Sequence, residues 1–301
     1  MSASPGPSAG AAEIFDLGYQ RYEGERTGRW ARRRAIWRDG VRITLGLGRG
    51  AGAKFASWLL IALALVPAVV IVVIAAFIGT ATAINTDGID IPSYAEYYDF
   101  AIIPLSLFAA IVAPNLTCSD RRDGVLSLYA ARPITPTDYV ASRWAAFFTV
   151  AATVAWVPEA VLFVWNALDA QSTGTWLGDN WDIVPRSLLG AAAVAGAFTT
   201  LALLAASFTN RRAYAAIGAL AVVFIGSAVG GIAEEDFSGR AADVFSLFGL
   251  PSVVVDTVHW IYSDPRDDRP VTGGVTAVWL AVLTVGLAAW LLVRTRRALS
   301  R

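Results

Sequence analysis

Six stretches of the chain are almost free of charge: Phe55 to Ile78, Phe100 to Leu116, Ala145 to Trp165, Leu188 to Phe208, Ala213 to Ile232 and Val275 to Val293. A helix needs about 20 apolar residues to cross a hydrocarbon core roughly 30 Å thick, so each stretch predicts a membrane-spanning helix. The second is short and carries Pro104 and Pro114, which predicts a tilt, a kink or extension into its flanks. A further apolar run, "FSLFGLPSVVVDTVHWIY" (Phe245 to Tyr262), is split by Pro251 and Asp256 into halves too short to span. It predicts a re-entrant or interfacial hairpin of helices before the last span. As a seventh span it would carry the C-terminal arginines to the other side of the membrane, against the charge pattern described next. The fold class expected is therefore all-α and polytopic, with six transmembrane helices.

The polar positions are sorted by sign. Twenty of the 24 Lys and Arg residues lie before the first span, between the second and third, in the Thr209 to Arg212 turn, or after Val293. The other three connections hold only Arg186, Arg240, Arg266 and Arg269, and they carry most of the carboxylates. Positive charge stays on the cytoplasmic side, which predicts cytoplasmic termini and an even number of crossings in the plasma membrane.

Three regions follow. Residues 1–27 open with "MSASPGPSAGAA", small and aperiodic, and are expected to be a disordered cytoplasmic leader. No signal-peptide core lies near the start, so the first span is expected to direct insertion itself. Residues 28–54 place Trp30, Trp37, Val41 and Leu45 at helical spacing among Arg32, Arg33, Arg34, Arg38 and Arg42. That predicts a basic amphipathic helix in the headgroup layer, serving as an orientation anchor or a structural elbow. Residues 55–301 form the six-span domain, with a cytoplasmic loop at 117–143 and an outer loop at 233–274.

Composition narrows the chemistry. Charged residues make up 16% of the chain against about 25% in soluble domains, and hydrophobic residues make up 56%. With Cys118 and His259 as the single cysteine and histidine, an intrachain disulfide, a clustered Cys/His metal site and a choice of histidines for a catalytic triad are all excluded. "GLGRGAGAK" (Gly46 to Lys54) is not a P-loop, because Ala53 separates Gly52 from Lys54 and Phe55 follows. No metal, cofactor or ATP is expected on this chain, and no enzymatic activity of its own. Glu159 is the one ionisable residue well inside a span, and it is either a pathway residue or a carboxylate paired near the outer end. Gly190, Ala193, Gly196, Ala197 and Thr200 permit close packing of the fourth span, within the chain or against a second chain, packing within the chain being the expected use.

The 117–143 loop is more than a connector. "SDRRDGVLSLYAARP" can form a short helix with Val125, Leu128 and Tyr129 on one side, and Arg132 before Pro133 ends it. Thr135 as N-cap, Pro136 at the first helical position and Asp138 at the third then start the next helix. A short surface helix between two stiff spans has the shape of a lever.

This loop, "DRRDGVLSLYAARPITPTDYVASR", resembles that of the permease subunits of ATP-binding-cassette exporters of the ABC-2 type. The opening "EIFDLGYQRYEGERTGRW" (Glu13 to Trp30) is similar to the leader of actinobacterial members, and the six-span layout extends the likeness over nearly the whole chain. Pro136 departs from the family, where a basic residue is common. The resemblance implies that Asp120 to Tyr129, with Asp120, Arg121, Arg122, Asp123, Gly124, Leu126, Leu128 and Tyr129, form a coupling helix closed by Arg132 and Pro133. It implies docking on a separate ATP-binding subunit that carries ATP and Mg, a second permease chain, and export of a substrate by alternating access. Two other classes compete. A secondary transporter or channel would carry internal repeats and several intramembrane charges. A membrane-embedded enzyme would need catalytic groups that are scarce here.

Overall fold

The computed structural model describes residues 28–48, 50–80, 92–124, 134–236, 239–264, 266 and 271–299. Among them the chain is all-helical: α1 (Arg29–Thr44), α2 (Ala51–Thr80), α3 (Tyr97–Val112), α4 (Pro114–Arg122), α5 (Pro136–Asp169), α6 (Thr173–Asp179), α7 (Ile183–Ala206), α8 (Arg212–Asp236), α9 (Arg240–Ser246), α10 (Leu250–Tyr262) and α11 (Gly273–Leu299). Six helical segments are long and apolar enough to cross a membrane: α2, α3 with α4, α5, α7, α8 and α11. The protein is a multi-pass membrane protein.

The second span is longer than its apolar run suggests. It covers Tyr97–Arg122, 26 residues, because Ala113 keeps helical dihedrals and Pro114 opens α4 at a first-turn position where its missing N–H costs nothing. Helix α5 is the spine. At 1.5 Å per residue its 34 residues reach about 51 Å, well beyond a hydrocarbon core of about 30 Å, so one end projects. Its start is fixed as the sequence predicts: the Thr135 hydroxyl accepts from the Asp138 N–H, the Asp138 carboxylate accepts from the Thr135 N–H, and Pro136 stands in the first turn.

Burial separates the helices into centre and rim. In the apolar windows of α3–α4 and α7, 67% of residues are buried, against 22%, 22% and 17% in α2, α8 and α11. The central pair therefore forms the core, and the other three turn apolar faces outward, with Val69, Val73, Ile217, Phe224, Val278 and Val282 exposed. Lipid tails are as apolar as leucine, so small residues bring these helices together. Ala64 and Ala68 of α2 are fully buried, and the Tyr97 hydroxyl donates to the Ala64 carbonyl at 3.0 Å. The small-residue stripe of α7 packs inside the chain as expected: Gly196 faces Phe148 of α5, Gly190 faces Val258 of α10, and Ala197 and Thr200 are buried.

Two expectations need correction. Residues 28–54 are not one helix: α1 stops at Thr44, the chain turns over Leu45 to Gly48, and Ala51 already belongs to α2. Nor does the apolar side of α1 all face lipid. Ile36, Gly40 and Thr44 are buried, Trp37, Val41 and Leu45 pack on the core, and only Trp30 stands exposed. A Cβ on Gly40 would meet the Ala146 Cβ at 2.6 Å, so α1 crosses α5 at backbone contact. In the 233–274 loop, Asp256 does not divide the apolar run. It lies inside α10, and the break falls at Leu247 to Gly249, where α9 and α10 meet at 98°. The Asp256 carboxylate is tolerated there because Arg266 reaches it at 3.5 Å.

Candidate functional site

The start of α5, the ends of α3–α4, α7 and α11, the start of α8 and the whole of α1 share one end of the bundle, the near end. At that end the two flanks of the 117–143 loop are clamped together. Asp120, on α4, is buried, and one of its oxygens accepts from the Tyr139 hydroxyl and from Arg143 Nη2, each at 2.8 Å. Arg143 is 2% exposed, and its Nη1 donates to Asp39 of α1, also at 2.8 Å. A buried guanidinium between two carboxylates has its charge compensated, and losing either acid would leave it partly unmatched.

A second clamp lies one turn earlier on α5. Asp138 is 1% exposed and takes Arg29 Nε at 2.8 Å, Arg29 Nη2 at 3.0 Å and Arg33 Nε at 2.6 Å. Trp37 Nε1 donates to Thr149 Oγ1 at 3.3 Å. Helix α1 is thus riveted along α5 at Asp138, Arg143, Ala146 and Thr149, over about three helical turns. The Asp138 carboxylate raises the Arg29 guanidinium above its ordinary value, first through the hydrogen bond and then through its charge.

The predicted coupling residues divide into three groups. Asp120 and Arg121 are structural: Asp120 as above, and Arg121 donating to the Ser207 carbonyl at the end of α7. Arg122 and Asp123 are exposed and pair with each other at 3.0 Å. Gly124 closes α4 in the left-handed region (φ +69°) that a glycine adopts without strain. Asp120 to Arg122 therefore end the second span's helix and do not begin a new one. Leu126, Leu128, Tyr129, Arg132 and Pro133 lie outside the described residues. Cys118 is a buried small residue facing the Ala206 and Thr209 carbonyls.

Glu159 belongs to the other half of the molecule. It is 1% exposed in α5, takes the Tyr262 hydroxyl of α10 at 2.7 Å, and has its second oxygen without a hydrogen-bond partner. Tyr98 stands beside it with its hydroxyl toward the Ala155 carbonyl at 3.5 Å. Tyr94 stacks on Tyr262 with ring centres 6.0 Å apart and accepts from Asn166 at 2.7 Å. The carboxylate is thus caged by aromatic hydroxyls under the α9–α10 pair.

Sequence reasoning missed the ties from α1 to α5. Asp39 is the one acid in residues 28–54, and a lone acid within a run of arginines was a usable signal. Asp138 was legible as a cap but not as a counterion, because its arginines lie 105 and 109 residues away. No protein-family model matches the sequence, and no curated protein matches it either.

Proposed function

We propose that this chain is the membrane-spanning permease subunit of an ATP-driven exporter, worked through its 117–143 loop by a separate ATP-binding subunit. The observation that carries the reading is the double clamp. Asp120 on the first flank of the loop is held by Tyr139 and Arg143 on the second, and the second flank is tied to α1 through Asp39 and Asp138. A push on such a loop moves α1, the second span and α5 as one block, which is what a lever requires. The exposed Arg122 and Asp123, at the mouth of the loop, are the contact points available to a partner.

The arginine-rich near end is cytoplasmic in this reading, with both termini on that side of the plasma membrane. The bent α9–α10 pair is an outer re-entrant hairpin that caps the far end, and α1 is a cytoplasmic-face elbow. Two such chains work with two ATP-binding chains, and substrate leaves the cytoplasm by alternating access. Glu159 would face that pathway only when the hairpin carries Tyr262 away from it.

The test is purification of the tagged full chain from its native membrane in gentle detergent, with counting of what accompanies it. The expected result is an ATP-binding subunit near one per permease, lost in Arg122→Glu/Asp123→Lys with the permease still inserted and folded. Arg121 is left intact, because it holds α7. Repeated recovery of the folded chain without an ATPase would overturn the reading in favour of an ATPase-independent transporter or channel.

A further inference from the structure

At the near end, α4, α5, α7 and α11 enclose a recess of about 20 Å³, lined by Thr117, Arg121, Tyr139, Arg143, Ser207 and Thr295 among others. That volume admits one group the size of a water molecule. Three buried polar atoms around it have no hydrogen-bond partner: Thr117 Oγ1, Arg143 Nε and Ser207 Oγ. Arg143 and Ser207 are 2% and 4% exposed, so bulk water does not serve them. Buried polar groups are costly to leave unpaired, and three on residues lining one hollow form a ready-made set of donors.

Charge identifies the guest. Arg143 is balanced by Asp120 and Asp39, neither of which lines the recess. Arg121 and Arg294 are not balanced. Both donate to the Ser207 carbonyl, Arg294 at 3.0 Å and across the Phe208 ring, and neither meets a carboxylate among the described residues. Two guanidiniums converging on one carbonyl repel each other unless an anion lies between them. Water would satisfy the hydroxyls and leave that repulsion in place. An oxyanion does both, with one oxygen in the recess and the rest at the mouth against Arg121 and Arg294.

We propose that this recess binds a phosphoryl group, one oxygen held by Thr117, Ser207 and Arg143 and the others by Arg121 and Arg294. On the orientation proposed above, on which this inference rests, the positive near end lies at headgroup level, where basic pockets between spans take lipid phosphates, so the source is an anionic phospholipid or the free ion. A bound lipid would join the second, third, fourth and sixth spans beside the loop clamp.

The experiment is native mass spectrometry of the full chain in phosphate-free detergent, titrated with phosphatidylglycerol, with phosphatidylcholine, and with inorganic phosphate. Wild type should retain one phosphatidylglycerol, and Arg294→Gln or Ser207→Val should weaken retention about tenfold. Arg34→Gln, on exposed surface, should bind as wild type does. Inorganic phosphate raising the melting temperature of wild type but not of Arg294→Gln would make the free ion the source. Equal binding of all probes by wild type, Arg294→Gln and Ser207→Val would overturn the proposal and leave a water-filled recess. So would a Ser207→Val protein that is more stable yet unchanged in binding. Neither variant touches Arg122 or Asp123, so recovery of an ATP-binding subunit with Arg294→Gln is a separate readout of the exporter reading.

Discussion

The two ends of the bundle are held by different chemistry. At the near end the interhelical ion pairs are all guanidinium on carboxylate, Arg143 on Asp120 and Asp39, and Arg29 and Arg33 on Asp138, alongside neutral hydrogen bonds such as Trp37 to Thr149. At the far end the α10 region is tied to α3 through Asp99, which takes Arg266 and, at 3.3 Å, His259. Arginine keeps its charge at any physiological pH, whereas histidine does not. The near end is thus a fixed block of α1, α4 and α5, whereas at the far end the histidine's share of the grip on Asp99 varies with pH and the Arg266 share does not.

The largest expected effect tests the block. Arg143→Met removes a buried cation and leaves Asp120 with only the Tyr139 hydroxyl, a loss of about 3–5 kcal/mol. Unfolding in detergent should show it. Asp120→Asn/Arg143→Met should recover much of that loss, because no uncompensated charge then remains inside, while Asp39→Asn, on a half-exposed acid, should cost far less. Equal losses in Arg143→Met and Asp39→Asn would mean that the clamp is an exposed ion pair and not a buried one.

A smaller effect separates the ends by packing. A Cβ on Gly40 meets Ala146 at 2.6 Å, and a Cβ on Gly226 of α8 meets the Phe248 carbonyl oxygen, between α9 and α10, at 2.4 Å. Gly40→Ala should lift α1 from α5, and Gly226→Ala should lift the α9–α10 pair from α8, each at about 1–3 kcal/mol. Hydrogen exchange should report faster exchange only in residues 29–44 for the first and only in 240–262 for the second. Spread of either change across both regions would show that the ends are coupled directly.

The same contrast explains what was legible in the sequence. The spans were readable because length and apolarity are local properties, and so was the start of α5, whose Thr135, Pro136 and Asp138 cap one another within four residues. Extension of the second span into its flanks was among the expected outcomes, but not its reach to Arg122, because Asp120 and Arg121 read as loop charges and only their partners in α5 and α7 make them fit a helix. Asp256 was misread as a break for the same reason, its counterion Arg266 lying beyond the helix. The recess between α4, α5, α7 and α11 had no local signal. Thr117, Ser207 and Arg294 are unremarkable in their own segments and meet only through the packing of four helices.

The smallest expected effect is the pH dependence of the far end. His259 faces Asp99 from α3, the Asp264 carbonyl and carboxylate, and Arg266, with Asp256 one turn back on its own helix. Burial pulls the imidazole down, but the hydrogen bond and charge of Asp99 more than offset it, with Arg266 opposing, so the net shift is upward from the ordinary 6.5. A raised histidine stabilises the fold in its charged form. That contribution is complete below about pH 6.5 and is lost as pH rises through the higher folded value. Amides of α10 should therefore exchange more slowly at about pH 6 than at about pH 8.5, once the intrinsic pH dependence of exchange is removed. His259→Gln should abolish the difference and Asp99→Asn should reduce it, while amides of α1, held by arginines, should show none. A pH response of equal size in α1 would mean that the near end also depends on a titrating group, and the division into a fixed near end and a pH-dependent far end would fail.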